Sequence, residues 1–191
     1  LVTLKDNITW QDGKPFSADD VVFTYDLIQN PATQSPLYTS YVGIKVSKVD
    51  AQRVNFKLPS ALSSFPYSLT NGIVPKHLLA SSAPEQLRSS AFNIKPIGSG
   101  PFKWRFVEVN GSLDNNREQR ITMEPFDNYW SGRPKLDGFT IITYSDEPKL
   151  EKAFRAKQVN AMSGLDSVPE TLVKDGNIQV YVTPLTSAVY T

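Results

Sequence analysis

Trp10-Gln11-Asp12-Gly13-Lys14-Pro15-Phe16-Ser17-Ala18-Asp19-Asp20-Val21-Val22-Phe23-Thr24-Tyr25 is the stretch from which the rest of this 191-residue chain can be read. Asp12-Gly13-Lys14 is a turn, because Asp-Gly supplies the positive φ that tight turns need. Ser17 reads as a helix N-cap, and Asp20 three residues on makes a capping-box variant. Ala18, Val21, Val22, Tyr25 and Ile28 then fall at helical spacing and define one buried face. Pro31 stops that helix. Before the turn, residues 1–10 read as a strand ending at Trp10.

After this unit, residues 30–43 form a polar loop that carries Tyr38 and Tyr41. Val54, Phe56 and Leu58 alternate with Asn55 and Lys57, a half-buried strand. Ile44 and Val46 start its partner, with Asp50-Ala51-Gln52 as the turn. Residues 62–70 have the length of a short helix, and Pro75 and Pro84 each stand where a helix can begin. Residues 91–101, with Pro96, Gly98, Gly100 and Pro101, are the candidate domain boundary. Beyond them Phe102-Trp104-Phe106, Ile121-Met123 and Phe139-Ile141 suggest strands. Leu150, Ala153 and Phe154 give a helix face over 147–157, supported by the i,i+4 pair Glu151–Arg155. Ser167 with Glu170, and Pro169 between them, reads as a capped helix start, and Ile178-Val180-Val182 as a late strand. Strands alternating with helices make the chain α/β, in a mixed α+β arrangement.

Composition narrows the chemistry. Twenty basic and nineteen acidic residues leave a net charge of +1. That removes the electrostatic signature of nucleic-acid binding. Zero cysteine excludes disulfides, zinc–thiolate sites, iron–sulfur clusters and cysteine nucleophiles. A single histidine, His77, means that no two-His metal site can be built within one chain. No window has the roughly 18 consecutive apolar residues of a membrane span, and no signal peptide opens the chain. Leu1-Val2-Thr3-Leu4 begins mid-pattern and Ser187-Ala188-Val189-Tyr190-Thr191 ends the same way, as expected of an internal fragment.

Each chemically suggestive motif has an ordinary structural reading beside it. Gly98-Ser99-Gly100 is followed by Pro101 and an aromatic strand, not by the third glycine and helix of a dinucleotide loop. His77, in Pro75-Lys76-His77-Leu78-Leu79, would need a positioned nucleophile and an orienting acid to act as a base. No serine sits in a Gly-x-Ser-x-Gly elbow, so a half-exposed histidine at a helix start is favoured. Asp19-Asp20 and Asp146-Glu147 precede helices, where carboxylates complement the dipole. Asp114-Asn115-Asn116 lacks the rest of a calcium loop. Trp10, Tyr25, Trp104, Tyr129 and Trp130 have stacking faces, but aromatics at strand or helix period are mostly core. Tyr38 and Tyr41, off any period, are the aromatics singled out. These observations leave an aromatic-rich α/β chain with no catalytic constellation.

A resemblance goes further. The Trp10–Tyr25 stretch resembles the signature of the family 5 extracellular solute-binding proteins, the peptide, dipeptide and nickel-type receptors of ABC importers. Pro96-Ile97-Gly98-Ser99-Gly100-Pro101-Phe102 resembles that family's P-x-G-T-G-P-Y turn. Phe126-Asp127-Asn128-Tyr129-Trp130, followed by Pro134 and Leu136-Asp137, resembles its N-x-x-Y-W block. Leu150 through Met162 resembles its helix, turn and strand. Lys157 stands where the family usually has Gly, and Asn160 where it usually has Asp, so the turn after that helix is expected to differ.

The resemblance implies a type II periplasmic-binding-protein-like fold, with two lobes that close over ligand. Residues 1–97 would be most of the extra domain of the large peptide receptors. Residues 98–191 would be the central part of lobe I, ending at the crossover to an absent lobe II. It implies a non-enzymatic receptor without cofactor or metal, monomeric, and binding no nucleic acid. Its partners would be a peptide and the ABC permease subunits. The location would be extracytoplasmic, in the periplasm or at the cell surface through a lipid anchor on a preceding segment. Tyr38 and Tyr41 resemble a ligand-reaching loop. Ser163, Gly164 and Leu165 would edge the cleft, and Thr183, Thr186, Ser187 and Thr191 would line it near the hinge. Three alternatives stand beside this: a receptor for a sugar or metal chelate, an interaction module with a large exposed apolar patch, and a His77-dependent hydrolase. The last requires a serine or carboxylate within hydrogen-bond reach of the ring.

Overall fold

The structure is a computed structural model, described here for residues 1–112, 117–165 and 167–181. By contact the chain divides into two compact units. One holds Leu1–Val109 with Gln119–Ile142, the other Asn110–Glu118 with Thr143–Thr191.

In the first unit, helix α1 spans Ala18–Gln29. Ser17 has extended backbone, and its hydroxyl accepts from the Asp19 amide at 3.2 Å, while Asp20 Oδ2 accepts from the Ser17 amide at 2.9 Å. The box anticipated from Ser17 and Asp20 therefore forms. α1 ends at Gln29, and Pro31 opens a short 3₁₀ turn, Pro31–Thr33. Ala18, Val21, Tyr25 and Ile28 are buried, as their spacing requires, while Val22 packs at the edge of the cluster.

That face lies on a three-stranded sheet ordered β1-β3-β2, from Val2–Thr3, Lys45–Lys48 and Arg53–Lys57. Both pairings are antiparallel, with Val46 opposite Phe56 and Val2 opposite Val54. Tyr25, Phe56 and Phe65 pack edge-on and tilted, with ring centroids 5.0 and 5.6 Å apart. Such aromatic pairs add to what their buried area contributes.

The first strand is shorter than the pattern suggested. β1 stops at Thr3, and Asn7 takes a left-handed conformation (φ 59°) that breaks the extended run. Residues 8–16 then double back on themselves. The Phe16 amide donates to the Ile8 carbonyl at 3.0 Å, and the Trp10 amide to the Lys14 carbonyl at 2.8 Å. Gly13, at φ 84°, supplies the turn. Residues 62–70 form a 3₁₀ turn at Phe65–Ser68 rather than an α-helix. Pro75 and Pro84 do begin helical turns: α3 at Lys76–Leu79 and a 3₁₀ stretch at Pro84–Ser89. Between α1 and β2, the loop carries one α-turn, α2, at Tyr38–Tyr41.

A second sheet has the order β4-β5-β6, from Phe102–Asn110, Glu118–Pro125 and Phe139–Thr143. The loop from Phe126 is held by two devices. The Phe126 amide donates to the Pro101 carbonyl at 2.8 Å. Arg133 bridges Asp127 at 2.9 Å and Asp137 at 3.1 Å.

The second unit contains α4, Glu147–Arg155, and α5, Glu170–Val173. Asp146 caps α4, accepting from the Lys149 amide at 2.9 Å. Glu151 and Arg155 pair as expected, and Arg155 also donates to Thr171 Oγ1 at 2.7 Å, joining the two helices. Two expectations fail here. Ser167 does not cap α5, whose N-cap is Pro169, with no side-chain hydrogen bond. Residues 178–181 form no strand, and Val182 lies outside the described residues.

α4 closes with a pair of capping bonds, Gln158 amide to Ala153 carbonyl and Lys157 amide to Phe154 carbonyl, both 2.9 Å. This is the Schellman arrangement, which needs a left-handed residue after the cap. Lys157 occupies that position at φ 57°. So the turn keeps a glycine-type conformation without the glycine. A Cβ in that region costs about 1–2 kcal/mol, partly offset by the extra freedom glycine gives the unfolded chain, about 0.4–1 kcal/mol. Lys157→Gly therefore stabilises the end of α4 by about 0.5–1 kcal/mol. Amide exchange at Gln158 should slow a few-fold, and unchanged or faster exchange would contradict the strain.

Candidate functional site

The site residues named from the sequence lie in different environments. Tyr41 is only 4% exposed. Its ring lies 5.1 Å from that of Tyr25, and its hydroxyl donates to the Ser68 carbonyl and lies 3.1 Å from Asn71 Oδ1. The Tyr25 hydroxyl donates to the same Oδ1 at 3.0 Å. Burial, with Tyr41 beside it, pushes the Tyr25 phenol up to about 12. Tyr41 is thus a core residue whose polar end is already engaged. A four-residue helical turn rotates it inward, which periodicity in a loop could not reveal. Tyr38, at the start of that turn, is half-buried. In the second unit Ser163 and Gly164 are exposed and Leu165 is half-buried, with Gly164 at φ 83°. Thr183, Thr186, Ser187 and Thr191 lie outside the described residues.

His77 has a carboxylate within hydrogen-bond reach, as the hydrolase alternative required. Its Nε2 lies 2.6 Å from Asp12 Oδ2, with the two side chains 28% and 27% exposed. Burial works to raise the Asp12 carboxyl, but the His77 hydrogen bond and the Lys14 amide outweigh it and hold it below its ordinary value. Among the described residues no serine hydroxyl bonds the ring, so the pair has an acid and no nucleophile. Its evident work is to pin the Asp12-Gly13 turn to the start of α3.

Sequence reasoning missed a set of side chains that hold the scaffold. Gln11 is one. Its Oε1 accepts from the Gly98 amide at 2.9 Å, and its Nε2 donates to the carbonyls of Gly100 (3.1 Å) and Phe102 (2.9 Å). The Gln11 amide adds a bond to the Gly98 carbonyl at 2.9 Å. One amide side chain therefore brackets the 98–102 loop, using both of its chemical ends. Asp20 is another: besides capping α1, its Oδ1 accepts from the Lys76 amide at 2.9 Å. No local signal marks either role, because the partners are far away in sequence.

The first unit also contains a cavity of about 270 Å³. Its apolar wall includes Leu27, Ile28, Val74, Leu79, Leu87 and Phe92. Among the described residues no three His, Asp or Glu side chains converge as metal ligands, and no helix is long and apolar enough to cross a membrane.

Known proteins resemble the chain throughout its length. The family model described as bacterial extracellular solute-binding proteins, family 5 Middle, matches residues 1–191. The oligopeptide-binding protein AppA of Bacillus subtilis is 31% identical over 193 residues, covering 99% of this chain and 34% of AppA. The structure of that protein in complex with a nonapeptide superposes with TM-score 0.70 at 32% identity, covering 83% of this chain and 31% of that one. NikZ of Campylobacter jejuni, in complex with Ni(L-His), gives TM-score 0.69 at 27% identity, covering 82% and 30%. The chain thus spans about a third of the length of these relatives. They are binding proteins rather than enzymes, which removes the hydrolase alternative. With its motif blocks, its mixed fold and a match from first residue to last, the chain belongs to the bacterial extracellular solute-binding proteins, family 5.

Proposed function

We propose that this chain is part of a receptor that captures peptides outside the cytoplasm and delivers them to an ABC permease. The observation that carries the reading is the likeness to a peptide receptor, 31% identity over 99% of the chain. Residues 1–97 then correspond to most of the extra domain of such receptors, and 98–191 to the central part of lobe I. A lipid anchor or a periplasmic location, and a monomeric state, go with this reading.

The mechanism follows from peptide chemistry. Every peptide carries a backbone donor and acceptor at nearly each residue. A receptor that answers these with its own backbone and short hydroxyls binds many sequences, because the recognised groups are common to all. The residues proposed to contact ligand are Tyr38 in the first unit and Ser163, Gly164 and Leu165 in the second; Thr183, Thr186, Ser187 and Thr191, proposed with them, lie outside the described residues. Tyr41, buried with its hydroxyl bonded to the Ser68 carbonyl, is not carried into that set. Closure is driven by the greater affinity of ligand for the closed state.

The test is thermal melting of the full-length protein with peptides of two to five residues. A ligand that binds only the folded state adds about 2.7 kcal/mol of stability at a hundredfold excess over Kd. Stabilisation by several unrelated peptides supports the reading. Stabilisation by a sugar or nickel-chelate panel, with none by any peptide, overturns the peptide reading and leaves the family assignment standing.

A further inference from the structure

Two Asn-Gly dipeptides occur in the chain, Asn71-Gly72 and Asn110-Gly111. In such a pair the asparagine can react with its own backbone. The amide nitrogen of the next residue attacks the side-chain carbonyl carbon, and with glycine there no Cβ hinders the approach. The residues in front, Thr70 and Val109, are both β-branched, so the two sequences are intrinsically alike. Structure decides which of them reacts, because the carboxamide must swing onto that nitrogen.

At Asn71 the carboxamide is anchored. Its Oδ1 receives the Tyr25 hydroxyl at 3.0 Å and lies 3.1 Å from the hydroxyl of Tyr41. Its Nδ2 is buried. Both tyrosines belong to the core, at 2% and 4% exposure. Reaction at Asn71 therefore requires the side chain to leave that anchorage first.

Asn110 is placed in the opposite way. It is the last residue of β4, and Asn110, Gly111 and Ser112 are all exposed. The attack needs a turn about the Asn110 backbone, away from the extended shape of a strand, and the ends of elements open most easily. Gly111 lies just beyond the strand at φ 83°, in a region that glycine adopts freely. The peptide unit between them can turn without carrying a side chain along.

We infer that Asn110 is a self-modification site, which deamidates through a cyclic imide while the fold holds Asn71 unreactive. The Gly111 nitrogen gives up its proton and forms a bond to Asn110 Cγ. The side-chain NH₂ leaves with a proton as ammonia. Water then opens the imide. Breaking the new bond to Cγ gives aspartate, and breaking the original peptide bond gives isoaspartate, whose main chain runs through the former side-chain CH₂. One water is consumed and one ammonia released, with no change of oxidation state. Either product adds a carboxylate, taking the formal charge of this chain from +1 to 0. Isoaspartate also lengthens the backbone at the end of β4, where side-chain alternation depends on an unbroken residue count. The inference does not depend on the peptide reading.

The experiment is incubation of the full-length protein in mildly alkaline H₂¹⁸O buffer, once native and once unfolded in urea. Peptide mass spectrometry follows the exchange of NH₂ for OH at each Asn-Gly, and electron-transfer fragmentation separates isoaspartate from aspartate. In the native protein Asn110 should convert to both products, each carrying one ¹⁸O. Asn71 should convert at least about tenfold more slowly, the worth of one hydrogen bond that must break first. In urea the two sites should react at similar rates, which would assign the protection of Asn71 to the fold. Asn110→Gln, whose longer side chain closes a larger ring more slowly, should remove the product at that position. Equal conversion of both sites in the native protein would overturn the inference. So would a native Asn110 that stays intact while the unfolded chain reacts there, or aspartate formed with no isoaspartate.

Discussion

Trp10→Ala should speed amide exchange in α1 by about a thousandfold in the full-length protein. Trp10 is 1% exposed, one of the largest fully buried side chains among the described residues. Phe16 packs against it at 5.4 Å between centroids, and His77 lies edge-on at 6.3 Å. Deleting a buried Trp costs about 3–5 kcal/mol through lost transfer energy and the cavity left behind. A value near 4 kcal/mol is about three powers of ten in an opening equilibrium. Exchange is the right readout because local opening can be measured within a larger protein, where a single unfolding free energy is ill-defined. The loss should be shared by the 98–102 loop, since Trp10 positions Gln11, which brackets that loop. Acceleration in α1 alone, with the loop unchanged, would show that the two segments are not coupled in this way.

Asp20→Ala should cost about 3 kcal/mol and speed exchange at Ser17 and Lys76 together by about a hundredfold. The carboxylate is 4% exposed and accepts one backbone amide with each oxygen, Ser17 on one side and Lys76 on the other. Hydrogen bonds to charged groups contribute about 1.5–3 kcal/mol each, and removal leaves two amides without partners. An ordinary capping change costs about 0.5–2 kcal/mol, so a loss at the upper end or beyond is the mark of the double role. Asp20→Asn should fall between, because it keeps one acceptor and turns an NH₂ towards the other amide. A change confined to Ser17, with Lys76 unaffected, would reduce Asp20 to a simple cap.

These two residues also show what the sequence made legible. The Ser17–Asp20 box, the α1 face and the β2–β3 alternation were readable because every partner lies within a few residues or one strand pair. The second bond of Asp20 was not, since Lys76 is 56 residues away. Gln11 was unreadable for the same reason, with partners 87 to 91 residues distant. Ser167 and the 178–181 segment had the right residue types, but tertiary context did not use them. Lys157 is the reverse case: the missing glycine was visible in the sequence, and the backbone is left-handed there all the same.

The same geometry explains why the family was easier to recognise than its ligand. Gln11 joins the Trp10–Tyr25 block to the 96–102 turn, and the Phe126–Pro101 bond joins that turn to the 126–137 block, which Arg133 ties together internally. What the motifs preserve is a scaffold. Most of the proposed ligand contacts are scattered short residues with no spacing of their own, and Tyr41, one of the two tyrosines singled out, belongs to the core.

The central claim is capture of peptides through their backbone. Its most direct test is calorimetric binding of the full-length protein to two pentapeptides of unrelated sequence, each also made with a central amide N-methylated. Backbone capture predicts that the two parents bind within about tenfold of each other and that methylation weakens each by about tenfold or more, the value of one lost hydrogen bond. If the methylated peptides bind as well as their parents, or if exchanging side chains abolishes binding while methylation does not, the claim is wrong.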